Sequence, residues 1–183
     1  EAAHQLREKH GYQLTGDPNR SLKDLEGVLS AECVRMVYRM IFVLYIEARP
    51  ELGYVPINSS DVYAKGYSLE SLRDLTLVDL QSPQSQAGTY FDTTIRKLFA
   101  LIAKGTEQEQ HEISSHGATV NGFELARLDS ALFDPASTPL LNKVVFPNHI
   151  WSKVLNGLSF AKDARTKKIR RVSYQSLSIN QLG

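Results

Sequence analysis

The sequence predicts a mainly α fold: an irregular multi-helix domain around one central, buried helix at about residues 30–49, with little or no β-structure. Residues 34–49 are apolar on nearly every side of a helix, and several other segments repeat apolar residues at helical spacing. The alternation typical of strands is confined to residues 172–174, a run without an evident partner. Because a helix that is apolar all round must be covered by other elements, we expect this one at the centre of the domain.

The central helix carries a stripe of apolar residues, which further apolar and aromatic side chains widen: Val34, Val37, Ile41, Leu44 and Ala48, then Met36, Met40, Val43, Tyr38, Phe42 and Tyr45. Ser30 is a suitable N-cap, Glu32 then lies in the first turn at the positive end of the helix dipole, and Pro50 ends the pattern. Tyr45, Glu47 and Arg49 predict either a buried ion pair or a contact that orients a neighbouring loop.

The other helices are predicted from their caps and apolar faces. A short helix over residues 22–29 precedes the central one, and Ser68 caps a helix with Leu69, Leu72 and Leu75 inside. Residues 82–88 read as a polar loop. Thr89 and Asn148 are the predicted caps of two more helices; their apolar residues are Ile95, Leu98, Phe99 and Ile102, and Ile150, Trp151, Val154, Leu155 and Leu158. Gly105 should end the first of these two, and residues 123–146 read as loops with short helical turns.

Length and composition favour one globular domain over residues 1–183, or one domain with a loosely attached tail. The charges inside the central helix argue against a membrane span, no signal-peptide pattern is present, and the lone Cys33 suits a reducing, cytoplasmic location as a small packed residue. The sequence stops at residues 179–183, where a new helix would begin, so we expect a fragment of a longer protein.

The charge is unevenly distributed along the chain. Residues 161–183 carry a net charge of +5, whereas the rest of the chain carries −4. Such a basic tail on a mildly acidic body is typical of a phosphate-binding surface, and equally of a solvated loop. The candidate DNA-binding residues are Lys162, Arg165, Lys167, Lys168, Arg170 and Arg171.

Independent catalysis is not predicted. His111 and His116 lie five residues apart around Glu112, a spacing that does not match the four-residue repeat of helical zinc motifs, so we expect a solvated loop there. The sequence has no glycine-rich phosphate loop and no nucleophile elbow, and Asp129 and Asp134 lack the strand context of a nuclease site. No catalytic, cofactor-binding or metal-binding residue is therefore assigned.

Three ordered segments resemble one family. They are residues 38–49 (YRMIFVLYIEAR) with 67–73 (YSLESLR), residues 121–123 (NGF) with 131–135 (ALFDP), and residues 171–183 (RVSYQSLSINQLG). In this order they resemble the helical region upstream of the methylase core in large bacterial adenine-specific DNA methyltransferases, including type II restriction–modification fusions and related phage-defence methylases.

This resemblance implies a connector without catalytic residues. In that family the S-adenosylmethionine loop and the Asn-Pro-Pro-Tyr-type motif that holds the flipped adenine lie downstream of the segment matched here. The implied partners are the adjoining methylase domain, a Mg²⁺-dependent nuclease domain in some relatives, and double-stranded DNA, with no membrane. The basic tail at residues 161–183 would lead into the methylase core. The alternative from the residues alone is an independent module that binds nucleic acid or protein, with Tyr174 as a stacking group; a small metalloenzyme around His111, Glu112 and His116 is the third hypothesis.

Overall fold

The chain forms helices joined by 3₁₀ turns and one small β-hairpin, in a computed structural model that describes residues 1–10, 21–106, 123–163, 165 and 167–177. The helices are α1 (Ala2–His10), α2 (Ser21–Glu47), α3 (Asp61–Gly66), α4 (Leu69–Leu75), α5 (Pro83–Ala87), α6 (Tyr90–Lys104) and α7 (Asn148–Ser159). The strands β1 (Phe160–Lys162) and β2 (Ile169–Arg171) pair antiparallel. The prediction of a mainly α multi-helix fold is confirmed.

The central helix is longer than predicted, and it begins elsewhere. Helix α2 starts at Ser21, so the short helix predicted before it forms its first turns, and Ser30 lies exposed inside the helix instead of capping it. Glu32 is therefore also internal to the helix. Its buried carboxylate accepts hydrogen bonds from the backbone N–H groups of Leu140 and Leu141, at 3.2 and 2.8 Å.

Only part of α2 is surrounded by protein. Residues 43–47 are all buried, but Val34 and Tyr38 are 51% and 48% exposed, so the prediction that residues 34–49 are covered on nearly every side is wrong for the first half. The buried stripe runs instead through Met36 and Met40. The reason is the tertiary packing, which covers one side of α2. The elements that pack there are α4 and the 3₁₀ turns Pro50–Leu52, Ala131–Phe133 and Leu141–Lys143.

Helix α6 supplies the opposite wall of the core. Its predicted inner face is confirmed, since Ile95, Leu98, Phe99 and Ile102 are all buried. Phe133 lies between α2 and α6, with its ring centroid 5.7 Å from Phe42 and 5.6 Å from Phe99 in edge-on contacts. The segment around Phe133 thus has the predicted form of loops with short helical turns, and it closes the core between the two helices.

The predicted caps have different outcomes. The Ser68 side chain caps α4 by accepting from the N–H of Ser71, as predicted. Thr89 precedes α6 but its side chain makes no capping bond; Asn148 caps α6 in its place, accepting from the N–H of Phe91 at 3.1 Å. Asn148 therefore does not cap its own helix α7, which contradicts the prediction.

Three smaller predictions are also corrected. The segment predicted as a polar loop contains the short helix α5, which Ser82 caps. Leu75 at the end of α4 is 41% exposed because the helix ends there at the surface. The strand-like run at residues 172–174 follows β2 and is not itself a strand.

The prediction that Gly105 ends α6 is confirmed, and this glycine has a left-handed φ of 75°. In the ranges given above, no helix is long and apolar enough to cross a bilayer.

Candidate nucleic-acid interface

The six basic candidate residues lie on one hairpin, which we call the basic hairpin (residues 160–171). Lys162 is in β1, Arg170 and Arg171 are in β2, and Arg165, Lys167 and Lys168 lie in the connection between the strands. All six side chains are exposed. The basic tail predicted from the sequence is therefore folded at this point, and its charges are presented from a defined backbone.

The connection between the strands is organised by Asp163. Its backbone N–H donates to the carbonyl of Lys168 and its carbonyl accepts from Lys167, both at 2.9 Å. Its carboxylate accepts from the N–H of Arg165 at 3.0 Å, and Lys167 takes a left-handed φ of 58°. The single acidic residue of this segment thus holds the turn, and the described lysine and arginine residues around it are exposed.

The two arginines of β2 face opposite sides of the hairpin. Arg171 is paired with Phe160 and Arg170 with Ala161, and successive side chains of a strand alternate between its faces. Arg171 makes ion pairs with Glu70 and with Asp74 of α4, the latter at 2.7 Å between Nη1 and Oδ1. The hydrogen bond that Arg171 donates to Asp74, with the negative charge of Glu70 beside it, raises the pKa of Arg171. Arg171 therefore attaches the hairpin to α4, and its charge is balanced within the protein.

Arg73 fixes the base of the hairpin from below. This buried side chain donates from Nε to the Ser159 hydroxyl at 3.0 Å and from Nη2 to the Val172 carbonyl at 3.0 Å, so it joins the residues on either side of the hairpin. Its guanidinium lies 5.5 Å from the centre of the Tyr174 ring. Sequence reasoning missed Arg73, because on a short amphipathic helix it resembles any basic residue of the last turn.

Tyr174 does not have the predicted role of an exposed stacking group. Its ring is buried at 6% exposure, against Arg73, and its hydroxyl donates to the carbonyl of Leu158 at 2.8 Å. A nucleic-acid base cannot stack on this ring, because the protein already covers nearly all of its surface. Tyr174 instead stabilises the junction between α7 and the hairpin.

Glu47 supports the same arrangement from the end of α2. Its buried carboxylate accepts from the hydroxyl of Tyr63 at 2.9 Å and from the N–H groups of Leu69 and Glu70 at 3.0 and 2.9 Å. Burial raises the pKa of Glu47 to about 7, against the lowering effect of these hydrogen bonds. Neither prediction for this cluster is observed as stated, because Glu47 forms no ion pair with Arg49 and the contact that it makes orients the helix α4 and not a loop.

Arg49 is not the ionic partner of Glu47. It pairs with the exposed Glu51 at 2.9 Å and donates to the hydroxyl of Tyr45 at 3.0 Å. Glu47 consequently holds the first turn of α4, and α4 in turn presents Glu70 and Arg73 to the hairpin. A cleft of about 340 Å³ lies at this junction, lined by Glu47, Glu70, Arg73 and Arg171 among others.

The remaining sequence hypothesis concerns histidines. His111, Glu112 and His116 lie outside the described residues, and the described ranges hold no group of three or more His, Cys, Asp or Glu side chains that could bind a metal ion. Cys33 is half-buried against the core, and burial raises the pKa of its thiol. The basic hairpin is therefore the best candidate for a binding site among the described residues, because it presents a cationic surface on a folded support.

No protein family, curated protein or solved structure was found that matches this chain. The resemblance to the helical region of adenine-specific DNA methyltransferases thus stays a prediction from the sequence.

Proposed function

We propose that this chain is a non-catalytic helical domain that presents the basic hairpin to the DNA phosphate backbone and positions the core of a bacterial adenine-specific DNA methyltransferase. The hairpin itself carries the DNA-binding part of this proposal: exposed basic side chains on a short sheet that Arg73 and Arg171 attach to α4. The methyltransferase part rests on the three ordered sequence segments. The methyl donor S-adenosylmethionine, a Mg²⁺-dependent nuclease domain and a cytoplasmic location belong to the proposed parent protein.

Support from the helices is what gives the hairpin its value as a phosphate-binding element. A charge on a backbone that is already folded loses less conformational entropy on binding than one on an unfolded tail. The hairpin is tied at its base by hydrogen bonds of 3.0 Å from Arg73, and its connection is held by Asp163. The other residues of the chain carry a net charge of −4, so an approaching polyanion is attracted to this end and repelled by the rest.

Three side chains are the best candidates for phosphate contacts. Lys162, Arg165 and Lys167 are exposed, whereas Arg171 is paired with two carboxylates and Arg170 lies 3.9 Å from that of Asp163. The first three should account for most of the attraction.

The experiment is a fluorescence-anisotropy titration of labelled duplex DNA, at several salt concentrations between about 50 and 200 mM. The triple variant Lys162→Ala, Arg165→Ala, Lys167→Ala should bind all DNA sequences more weakly, because phosphate contacts carry no sequence information. The slope of log K against log salt should fall by about 0.9 for each phosphate contact that is lost.

A matched control removes the same charge elsewhere on the surface. The triple variant Lys65→Ala, Lys104→Ala, Lys153→Ala changes three exposed lysines outside the hairpin. It should keep most of the affinity and the full salt slope. If the unmutated protein does not bind duplex DNA at low salt, or if both triple variants lose the same affinity, the proposal is wrong.

A second function, an independent nucleic-acid-binding module, is favoured by the same hairpin. The two differ in what surrounds the chain: the methyltransferase proposal expects a glycine-rich methyl-donor loop and an Asn-Pro-Pro-Tyr-type motif to be encoded directly downstream. The non-catalytic role is tested by calorimetry with S-adenosylmethionine. We expect no heat of binding to this chain, and a saturable signal would contradict that role.

A further inference from the structure

A small cavity between α2 and α6 contains two arginines. We call it the arginine pocket; it has a volume of about 150 Å³, with Arg39 and Arg96 in its lining and no carboxylate among its lining residues. The remaining lining residues are mainly apolar and include Met36, Phe99 and Phe133, so the pocket combines cationic and apolar side chains. The proposed function does not use this pocket.

Arg39 lies at the buried end. Only 4% of the residue is exposed, and a guanidinium carries five N–H donors. Four of them are used: Nε donates to the carbonyl of Leu132, Nη1 to the hydroxyl of Thr138, and Nη2 to the carbonyl of Asp134 and the hydroxyl of Ser137. All four acceptors are uncharged, and among the residues described no carboxylate forms an ion pair with Arg39.

Arg96 contributes donors that the described residues leave open. Its Nε bonds to the carboxylate of Asp92 at 2.7 Å, and its Nη2 donates to the carbonyls of Leu141 and Val144. Within the described part of the chain its Nη1 has no acceptor, and no buried side-chain nitrogen there lacks a partner, so this Nη1 is accessible from solvent.

The lining of the pocket carries two guanidinium groups and no carboxylate, whereas three carboxylates lie outside it: that of Asp92 pairs with Arg96, and those of Asp134 and Glu32 lie near Arg39. Burial lowers the pKa of Arg39, and Arg35 and Arg96 lower it further against the opposing effects of Asp134 and Glu32. A buried cation without a paired anion is costly, and an anion that reaches it offsets that cost. The pocket therefore favours a ligand that brings a negative charge.

We propose that the arginine pocket binds a small carboxylate with an apolar body, the carboxylate on Nη1 of Arg96 and the one unused N–H of Arg39, and the body against Met36, Phe99 and Phe133. Guanidinium groups bind carboxylates through strong charge-assisted hydrogen bonds. The volume equals that of about five water molecules at ~30 Å³ each, which suits a phenyl or branched-alkyl acid and excludes a nucleotide. The apolar wall favours such an acid over a strongly hydrated inorganic anion.

The experiment titrates the full chain with sodium benzoate by calorimetry and follows the arginine Nε–H signals by NMR. We expect saturable one-to-one binding with shifts of the Arg39 and Arg96 signals. Benzamide, which has the same shape without the charge, should bind at least about tenfold more weakly than benzoate, because hydrogen bonds to a charged partner are roughly twice as strong. Inorganic phosphate should also bind more weakly than benzoate.

A blocking variant tests the location without removing any hydrogen bond. Ala100 is exposed at the rim of the pocket on α6, so Ala100→Leu should fill part of it and weaken benzoate binding by about tenfold, while leucine keeps the helix. The matched control is Thr93→Leu, an exposed position of the same helix outside the pocket lining. Failure of benzoate to bind, equal binding of benzamide or phosphate, or equal effects of the two leucine variants would each overturn the proposal.

Discussion

Glu47 makes the stability of this protein depend on pH in a direction opposite to that of most carboxylates. Its carboxylate is buried at the end of α2, and burial raises its pKa from 4.5 to about 7. The folded state thus holds the proton more tightly than the unfolded chain does. The contribution of this group to stability is fully present below about pH 4.5 and is lost as the pH rises through about 7.

The perturbation is Glu47→Gln, which keeps the shape of the side chain and removes its titration. From the pKa values of the folded and the unfolded state, linkage predicts that the unfolding free energy of the wild type falls by about 2 kcal/mol between about pH 5 and pH 7.5 because of this group. The variant should not show this loss. Urea unfolding followed by the fluorescence of Trp151, the sole and buried tryptophan, measures both proteins at both pH values.

At each pH value, the unfolding free energy of Glu47→Gln is subtracted from that of the wild type, and the quantity to compare is the change in this difference between the two pH values. The contributions of all other titrating groups cancel in it. The constant effect of losing an acceptor for the N–H of Glu70 also cancels. Glu26→Gln, at an exposed position of the same helix, is the matched control and should show no such change. A difference near zero, or one of opposite sign, would mean that the three hydrogen-bond donors around Glu47 outweigh its burial, and the reasoning would be refuted.

Two further predictions concern stability. Arg39→Met should lower the unfolding free energy by at least about 3 kcal/mol, because the acceptors around the guanidinium lose their donor, whereas Arg35→Met, at an exposed position, should cost less than about 1 kcal/mol; similar losses in urea titrations would contradict this. Gly105→Ala should destabilise by about 1–3 kcal/mol, since φ is +75° and the new Cβ would lie 2.8 Å from the backbone nitrogen of Arg127. Gly157→Ala, in α7 with nothing within 4 Å, should instead stabilise by about 0.5–1 kcal/mol, and thermal unfolding of the pair checks the opposite signs.

The helices themselves could be predicted from local patterns. The inner face of α6, the cap at Ser68 and the glycine that ends α6 each depend on residues within one or two turns, so spacing and cap chemistry were sufficient. Errors arose where a local signal had a stronger competitor. Ser30 looks like a cap only if the helix begins there, and the helical residues before it extend α2 past that point.

The roles of the buried polar residues could not be predicted. Glu32, Arg39 and Glu47 all lie on α2, and each bonds to groups far along the chain, at Leu140, Leu132 and Leu69 respectively. No periodicity encodes which loop returns to meet a given carboxylate or guanidinium. For the same reason the sequence predicts Tyr174 as an exposed stacking group, because nothing local to it reveals that Arg73 covers its ring.

The sequence by itself determined the helical class of this protein and the place of its concentrated positive charge, because amphipathic spacing and composition are properties of neighbouring residues. The tertiary structure alone decided which side of α2 is buried, that the basic segment is a hairpin attached to α4, and that two arginines meet in one pocket. These outcomes depend on contacts between residues far apart in sequence, and such contacts are set by how the helices pack together.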